Sequence, residues 1–356
     1  MAKSYDIAVV KGDGIGIEVI DEAIKVLKAA SARHGFSFRF REYPFGADHY
    51  LATKELFADS ALSEMKQMHA ILLGAIGDPR VETGILERGI VGRMRFDLDL
   101  YVNLRPIKLY SSHICPLKDK EPKDIDMIVV RENTEDVYTG VHGFFKKGTP
   151  DEVALQQMVF TRKGTERIIR HAYGIARGRK RKKLTLCDKA NAIAAMDLWR
   201  RTFNEVGQEF PDVEKDYAFV DATCMWMVKN PEFFDVIVSS NMFGDIITDL
   251  GAMLQGGLGI AAGGNIHPGK VSMFEPIHGS APKYKGSNKS NPLAAICAGA
   301  MMLEHIGEKE AAAAIEGAVI HLIVSKTLAS LDARSGRTTS EIGDMVVETL
   351  AGKKVR

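Results

Sequence analysis

The sequence predicts an α/β protein, and three observations lead to that class. The run from Tyr5 to Val10 is rich in strand-forming residues, a glycine turn follows it, and apolar residues then recur at helical spacing from Val19 to Ala30. Strand and helix patterns alternate along most of the chain, as in a parallel sheet covered by helices. The 356 residues suggest about two domains at roughly 150 residues each.

Two kinds of strand pattern continue this order. Phe36, Phe38 and Phe40 alternate with polar residues, as in a half-buried strand, and the other runs are short and apolar, as in buried strands. Buried strands are predicted at 70–73 and 126–130, and further strands at 184–187, 218–221 and 236–239. Helices are predicted at 165–177, 192–205 and 244–254, and three more after residue 291, the last starting near Thr339 and Glu341.

The charge balance gives no reason to expect a nucleic acid or an anionic membrane as partner. The 47 Lys+Arg residues nearly cancel the 46 Asp+Glu residues, which leaves a net charge of +1. The basic run 177–183 lacks interleaved aromatic residues and follows a predicted helix. We interpret it as a solvated helix end that the helix dipole favours.

Cysteine usage and hydropathy predict a cytoplasmic protein. The four cysteines lie far apart, form no CxxC pair and do not cluster with histidines at zinc-ligand spacing, so free thiols are expected. The longest apolar run, 293–303, is shorter than the ~18 residues of a membrane span. Residues 1–5 lead directly into a predicted strand, without the apolar segment of a signal peptide.

Two acidic residues on a predicted helix are candidate metal ligands. Asp245 and Asp249 are four residues apart and therefore project from the same helix face. Like charges at this spacing repel. In an apolar setting a shared divalent cation explains the pair, because such ions prefer oxygen ligands. A solvated helix face is the alternative.

Three arginines stand where α/β proteins place their sites. Arg95 and Arg105 flank a predicted passage from helix to strand, and Arg131 follows a buried strand directly. Guanidinium groups bind carboxylates in a bidentate fork, while ordinary surface salt bridges are the alternative. Tyr138 and Lys189 are candidates for a proton donor and a proton acceptor.

Two turn-rich segments are candidates for binding a phosphate group. The glycine turn Gly12-Asp13-Gly14-Ile15-Gly16 does not meet the GxGxxG dinucleotide fingerprint, because position 17 is Ile. The polar run 275–282 is interpreted as a loop, and Asn291-Pro292 precedes a helix start. Backbone amides and a helix N-terminus suit a phosphate, whereas a plain connector is the alternative.

Seven segments, taken in order, resemble the β-decarboxylating dehydrogenases, the family of isocitrate, isopropylmalate, homoisocitrate, tartrate and D-malate dehydrogenases. The resemblance runs from residue 4 to about residue 350, and its most specific part is 241–249. The matching segments are GDGIG at 12–16, NLRP at 103–106, RENT at 131–134, DKAN at 188–191, VDA at 220–222, NMFGD at 241–245 with Asp249, and EPIHGSAP at 275–282.

The resemblance implies the fold and the assembly. Family members have a two-domain α/β fold that is not the Rossmann fold, with the active-site cleft between the domains. For this chain it implies a large cofactor-binding domain, 1–103 plus 256–356, and a small domain, 104–255, that carries the metal site and the dimer interface. Members form homodimers with shared active sites, so Lys189 and Asp221 are expected to act in the partner's site.

The resemblance also implies a role for each matching residue. Malate carboxylates would be held by Arg95, Arg105 and Arg131, and Mg²⁺ or Mn²⁺ by Asp221, Asp245 and Asp249. Lys189 would accept the proton of the C2 hydroxyl, and Tyr138 would protonate the enol carbon after CO₂ departs. The residues expected to line NAD or NADP are Glu275, His278, Gly279, Ser280, Ala281, Lys283, Tyr284 and Asn291.

The segment expected to contact the C3 substituent of the malate substrate departs from its relatives. Isopropylmalate enzymes usually carry two leucines where Val91 and Gly92 stand, and isocitrate enzymes carry Ser and Asn where Gly89 and Val91 stand. Ile90 and Val91 are expected to cover an isopropyl group, and Arg88 or Arg93 is the candidate for a third carboxylate. We therefore expect 3-isopropylmalate, with isocitrate or homoisocitrate next and D-malate or tartrate after them.

The cofactor loop departs as well. NAD enzymes of the family usually have Asp where Lys283 stands, and Lys283-Tyr284 resembles the NADP-dependent isocitrate dehydrogenases. The Tyr and Arg that those enzymes add appear here as Ser325 and Ala329, so both NAD and NADP are expected to serve. A non-catalytic regulatory subunit is the alternative class, but such subunits lose the catalytic residues that this chain keeps.

Overall fold

Two compact units make up the chain in the computed structural model, which describes residues 3–332, 335–353 and 355. The first unit contains the described residues of 1–100, 108–123 and 252–356, and the second contains 101–107 and 124–251. Segment 108–123, which the sequence analysis assigned to the small domain, thus groups with the first unit.

The strands and helices alternate as an α/β chain requires. The strands are β1 (Ser4–Val10), β2 (Ser37–Tyr43), β3 (Ala70–Leu73), β4 (Val102–Lys108), β5 (Asp126–Glu132), β6 (His142–Phe145), β7 (Val153–Gln156), β8 (Lys183–Asp188), β9 (Glu214–Phe219), β10 (Val236–Ser239), β11 (Ala262–Ile266) and β12 (Met273–Pro276). The helices are α1 (Gly16–His34), α2 (Ala47–Thr53), α3 (Asp59–Met65), α4 (Arg93–Asp97), α5 (Arg162–Gly178), α6 (Asp197–Val206), α7 (Val220–Lys229), α8 (Asn241–Leu254), α9 (Leu293–His305), α10 (Lys309–Val324) and α11 (Thr339–Leu350). One turn of π-helix, Glu87–Gly92, leads into α4.

The sheet of the first unit has the strand order β2-β1-β3-β12-β11. β1 pairs in parallel with β2 and β3, β12 pairs in parallel with β3, and only the β11–β12 pair among these is antiparallel. β3 is buried throughout, whereas β2 has half-buried Phe38 and Phe40 between exposed Arg39 and Arg41. The alternation predicted for this segment is therefore confirmed.

The glycine turn after β1 packs directly on the loop after β12. Gly14 has φ +55°, and a Cβ on it would lie 1.9 Å from the carbonyl oxygen of Ser280. The amide of Ile15 donates to that same oxygen at 2.8 Å. The buried carboxylate of Asp13 accepts from the amides of Ala47 and Gly77 at 2.7 and 2.9 Å. The turn therefore fixes the loops at the carboxyl ends of β1, β3 and β12 against one another.

The sheet of the second unit has the order β4-β5-β10-β8-β9. β10 pairs in parallel with β5 and β8, and β8 pairs in parallel with β9. Helices α5 and α6 pack on each other through the buried rings of Tyr173 and Phe203, whose centroids lie 5.1 Å apart. Because β5 and β10 are parallel neighbours, the residues that follow them emerge at the same edge of the sheet.

Most of the predicted elements are confirmed, with errors where glycine or a helix start interrupts the pattern. Strands 70–73 and 236–239 and the order of the last three helices are correct, although Thr338 rather than Thr339 caps α11. Residue 221 is not in a strand: β9 ends at Phe219, and Asp221 lies in the first turn of α7, where the helix dipole favours an acid. Glu275 lies in β12 rather than in a loop, and the β6–β7 hairpin and Gly-rich β11 were not predicted.

The basic run 177–183 begins in the last turn of α5 and most of its residues are exposed, as expected for a solvated helix end, but it also forms ion pairs. Arg177 and Lys182 pair with Asp212 at 2.9 and 3.2 Å, and Arg179 pairs with the buried Asp235 at 2.5 Å. Acidic residues distant in sequence supply these partners, which is why the run alone did not reveal them.

The cysteines and the hydropathy of the helices can both be compared with the expectations from composition. All four cysteines are free thiols. Across residues 3–332, 335–353 and 355, no helix has the length and hydropathy needed to cross a membrane.

Gly14→Ala should destabilise the first unit more than Gly35→Ala. Both residues have positive φ, but a Cβ on Gly14 meets backbone at 1.9 Å, whereas nothing lies within 4 Å of one on Gly35. We expect a loss of about 1 kcal/mol for Gly35→Ala and about 3 kcal/mol or more for Gly14→Ala, measured by urea unfolding. Equal losses would show that the contact with Ser280 does not constrain the turn.

Candidate active site

The centre of the candidate site is the pair of acids on α8. Asp245 and Asp249 lie one turn apart in the second unit, on the helix that begins directly after β10. Burial raises the pKa of Asp249, the charge of Asp245 raises it further, and the charges of Arg105 and Arg131 lower it. These four groups are thus close enough to form one electrostatic cluster.

Arg131 is the buried cation of this cluster, with only 2% of its surface exposed. Its Nε donates to Oδ1 of Asn241 at 2.9 Å, and its Nη1 donates to Oδ1 of Asp245. A Cβ on Gly244 would lie 2.5 Å from Cγ of Arg131, so only glycine permits this approach of helix and arginine. Sequence reasoning found Arg131 and Asp245 but missed the structural roles of Asn241 and Gly244.

Tyr138 and Arg105 complete the cluster in the second unit. The Tyr138 hydroxyl donates to Oδ2 of Asp245 at 3.0 Å, and its ring lies 5.6 Å from the Arg131 guanidinium. Arg105 is buried, and its Nε donates to Oδ1 of Asn103 at 2.7 Å. The structure therefore brings together Tyr138, two of the predicted arginines and two of the predicted metal ligands.

Lys189 and Asp221 form a separate pair in the second unit. Their side chains meet at 2.8 Å, and the hydrogen bond from Lys189 is the main cause that lowers the pKa of Asp221. No group of three or more His, Cys, Asp or Glu residues is arranged for a metal within the described part of this single chain. Asp245 and Asp249 thus lie together, and Asp221 lies with Lys189.

Arg95 is held by an acid in the first unit. Its Nη2 donates to Oε1 of Glu275 at 3.0 Å, and Nδ2 of the fully buried Asn265 donates to the same oxygen at 2.8 Å. The sequence analysis predicted Arg95 and Glu275 but not Asn265.

The predicted cofactor loop is ordered by contacts with the backbone. Oγ of Ser280 donates to the carbonyl of Gly77 at 2.6 Å, and Ala281 takes a left-handed conformation with φ +39°. Burial lowers the pKa of His278, which favours its neutral form, and Nδ1 lies 3.0 Å from the carbonyl of Gly279. Nε2 of His278 is buried without a hydrogen-bond partner among the described residues.

The remaining loop residues divide between structural and exposed positions. Oδ1 of Asn291 accepts from the amide of Leu293, the first residue of α9, at 2.9 Å. Lys283 and Tyr284 lie together on a short 3₁₀ turn, with the Lys283 ammonium 4.8 Å from the Tyr284 ring. Tyr284 is 43% exposed, so this pair faces solvent at the end of the loop.

Ile90 and Val91, the two apolar residues expected to cover the C3 substituent of the substrate, differ in their burial. Ile90 is fully buried in the hydrophobic core, and Val91 packs against that core while half-exposed. Ile90 therefore cannot cover a substrate. A Cβ added to Gly92 would meet one backbone atom, the carbonyl oxygen of Glu87, at 3.4 Å. The space beside Gly92 is therefore open.

The two arginines considered for a third carboxylate have contacts within the first unit. Arg93 pairs with Asp97 at 3.1 Å and also with Asp59. Nε of Arg88 donates to the carbonyl of Gly84 at 3.0 Å. Arg93 thus already has two acidic partners in this structure, whereas no ion pair is seen for Arg88 among the described residues.

Comparison with known proteins identifies the family. The family model described as isocitrate/isopropylmalate dehydrogenase matches residues 6–346. The chain belongs to this family. It is 48% identical to the 3-isopropylmalate dehydrogenase of Thermobifida fusca, over 98% of this chain and 99% of the relative. It is also 48% identical to the 3-isopropylmalate dehydrogenase of Streptomyces avermitilis, over 99% of this chain and all of the relative.

Solved structures agree with membership of the isocitrate/isopropylmalate dehydrogenase family. The isocitrate dehydrogenase of Methylococcus capsulatus is 36% identical with a TM-score of 0.88, covering 97% of this chain and 99% of its own. The β-decarboxylating dehydrogenase of Thermococcus kodakarensis is 32% identical with a TM-score of 0.79, covering 98% and 96%. The predicted α/β fold and the predicted class, a β-decarboxylating dehydrogenase, are confirmed.

The variant Asp249→Asn should lose the binding of a divalent ion without losing thermal stability. Because the pKa of Asp249 is raised on folding, its charge destabilises the metal-free protein at pH above that pKa, so the variant should melt at an equal or higher temperature at pH 7.5. If α8 holds a divalent ion, saturating Mg²⁺ should raise the Tm of the wild type by about 2 °C or more and leave that of Asp249→Asn unchanged.

The control for this melting experiment is Asp119→Asn, which removes an exposed acid of the first unit. It should keep the full response to Mg²⁺. An equal response of Asp249→Asn and the wild type would place the ion elsewhere.

Proposed function

We propose that this protein catalyses the metal-dependent oxidative decarboxylation of a (2R)-malate derivative, with hydride transfer from C2 to NAD or NADP, and that its substrate is 3-isopropylmalate. The observation that carries the proposal is the cluster of Asp245, Asp249, Arg105, Arg131 and Tyr138 in one unit. The two acids suit a divalent ion, the two arginines suit the carboxylates of a malate, and the phenol of Tyr138 suits a proton transfer.

The two buried arginines serve the substrate carboxylates. Arg105 and Arg131 are 6% and 2% exposed, so a carboxylate that reaches them meets cations with little competing water. Planar guanidinium groups also fix the orientation of a carboxylate. Substrate carboxylates would thereby be placed beside the acids of α8.

The acids of α8 suit a hard divalent cation. Burial and the charge of Asp245 raise the pKa of Asp249. The two carboxylates provide oxygen ligands for Mg²⁺ or Mn²⁺, and Asp221 is the third proposed ligand. Held by these residues, a divalent ion would supply stabilisation of the negative charge that develops on the oxygen at C2.

Protons move through Lys189 and Tyr138. Lys189 accepts the proton of the C2 hydroxyl as hydride leaves C2, and the bond from C3 to the β-carboxylate then breaks to release CO₂. The electron pair of that bond forms the enolate, and the Tyr138 hydroxyl protonates C3 to give the ketone. The 3.0 Å hydrogen bond to Asp245 holds the Tyr138 hydroxyl within the acid cluster.

The assembly we propose is a homodimer with shared active sites. α7, which carries Asp221, exposes Met225, Trp226 and Val228 at 72%, 39% and 47%, and α8 exposes Ile246 at 49%. Large apolar side chains at these exposures favour burial against a second copy. The helices that carry the acids would then meet across the dimer, with Lys189 and Asp221 completing the partner's site.

The β6–β7 hairpin supports the same dimer. It is an isolated two-stranded sheet of four residues in each strand, which is marginally stable alone in water. It exposes Phe144, Phe145, Val153 and Leu155 at 48–61%. Pairing with the hairpin of a second copy would cover these side chains.

Substrate choice rests on the relatives and on the segment before Arg95. The curated relatives described above are named 3-isopropylmalate dehydrogenases, and Arg93, one candidate for a third carboxylate, pairs with Asp59 and Asp97 instead. Half-exposed Val91 and the open position at Gly92 leave an apolar space for an isopropyl group.

The proposed cofactor is NAD or NADP, and the loop after β12 would bind the adenosine part of the cofactor. The buried Nε2 of His278, which lacks a partner among the described residues, fits an additional hydrogen-bonding group. Lys283 and Tyr284 offer a cation and a phenol to a 2′-phosphate, and we expect both cofactors to be used.

Turnover with a substrate panel tests the proposed reaction. With Mg²⁺ or Mn²⁺ we expect reduction of NAD and of NADP with 3-isopropylmalate, at kcat/KM at least about tenfold above isocitrate, homoisocitrate, D-malate and tartrate. Higher kcat/KM with a tricarboxylate would overturn the substrate assignment and indicate Arg88. A large preference for NAD would show that Lys283 does not contact the phosphate.

Mixing two inactive variants tests the shared site. Lys189→Met and Asp249→Asn should each lose at least about 100-fold in kcat. If each site takes Lys189 from one subunit and Asp249 from the other, dissociating and reassociating an equal mixture should restore roughly a quarter of wild-type activity, because half the dimers are hybrids with one intact site. No recovery, with hybrid dimers demonstrated by mass, would contradict sharing.

A further inference from the structure

A cavity of about 780 Å³ opens in the first unit, away from the glycine turn. It lies beside the residues at or just before the amino ends of β1, β3 and β12, including Tyr5, His69 and Val271. Because these three strands are parallel, the glycine turn and the cofactor loop lie at their opposite ends. Its volume is in the range of small-molecule sites.

The cavity wall carries two lysines that lack an ion-pair partner among the described residues. Lys66 and Lys270 line it, both are exposed, and neither forms an ion pair with any described residue. The two acids of the lining have other partners: Asp97 pairs with Arg93 at 3.1 Å, and Asp99 lies 3.5 Å from His267. Both lysines are therefore available to an anion that enters the cavity.

Two histidines add hydrogen-bonding groups. Nδ1 of His69 accepts from the amide of Asp6 at 3.0 Å, which fixes the neutral tautomer with hydrogen on Nε2 and provides a donor. His305 packs on the ring of Phe274 at 5.3 Å, and burial lowers its pKa, so it is a neutral polar group in the wall.

The rest of the wall is apolar. Met68, Leu98, Val271 and Ile306 line the cavity beside the lysines. Inorganic phosphate alone would leave these side chains in contact with water, whereas a molecule with an apolar body would cover them. The lining thus matches a ligand with a charged head and an apolar body.

We propose that this cavity is a second ligand site, separate from the acid cluster of α8, for a small organic dianion with an apolar body. Two ammonium groups and the Nε2 donor of His69 recognise the head, which is either a phosphate monoester or a pair of carboxylates. Both heads carry the same chemistry, a doubly charged group of oxygen acceptors, and the experiment distinguishes them.

Isothermal titration calorimetry of the full-length protein tests the proposal with three probes. Phenyl phosphate is the monoester with an apolar body, phthalate is the dicarboxylate, and inorganic phosphate has no apolar body. We expect saturable binding of phenyl phosphate or phthalate at one site per chain, at least tenfold tighter than that of inorganic phosphate. The tighter of the two organic probes identifies the head.

Variants locate the bound probe. Lys66→Ala/Lys270→Ala should weaken it at least tenfold, and Lys118→Ala/Lys123→Ala, which removes the same charge from exposed lysines of the same unit, should change it less than twofold. Circular dichroism and the unfolding temperature verify that both variants fold. Neither pair of lysines has an ion-pair partner among the described residues, so folding should be unaffected.

Three results would overturn the proposal. They are no saturable binding of either organic probe, binding that survives Lys66→Ala/Lys270→Ala unchanged, and binding that Arg105→Ala abolishes while the lysine variant retains it. The last would place the probe at the arginines of the second unit instead.

Discussion

The burial of Arg131 is the constraint on which the rest of the candidate site depends. A guanidinium that is 2% exposed needs a compensating charge, and Asp245 and the amide oxygen of Asn241 satisfy it. Leaving a buried cation unpaired costs about 3–5 kcal/mol, whereas a like-charged pair one helical turn apart costs about 0.2–0.5 kcal/mol. The free energy gained by pairing the buried Arg131 with Asp245 is therefore larger than the cost of the repulsion between Asp245 and Asp249. This is why both acids can stand on the same face of α8.

The chain topology places these groups without long loops. β5 ends with Arg131 and Glu132, and β10, its parallel neighbour, leads directly into α8. Residues that follow adjacent parallel strands emerge at one edge of the sheet, and Gly244 lets the helix approach Arg131. In the first unit the same principle brings the glycine turn and the cofactor loop together through Ser280.

Features with a local cause could be predicted from the sequence. Apolar runs revealed the buried strands, and the four-residue spacing of Asp245 and Asp249 predicted their shared helix face. Features that depend on distant partners could not be predicted. Arg93 is neutralised by Asp59, 34 residues earlier, and the basic run by Asp212 and Asp235.

Weak strand patterns account for the remaining errors. β11 is Ala-Gly-Gly-Asn-Ile, whose glycines remove the alternation of side chains that identifies a strand, so the buried role of Asn265 was not visible. The predicted strand 218–221 extended too far because β9 passes into α7 without a turn residue, and hydropathy alone does not mark such a junction.

Binding of Mn²⁺, followed by the electron paramagnetic resonance signal of the free ion, tests most directly whether the acids of α8 hold a metal together with Asp221 of a second copy. The account predicts one tight site per chain in the wild type and at least tenfold weaker binding in Asp221→Asn, although in its own chain Asp221 contacts Lys189. Undiminished Mn²⁺ affinity of Asp221→Asn would contradict the shared site, as would retention of the tight site in Asp245→Asn/Asp249→Asn.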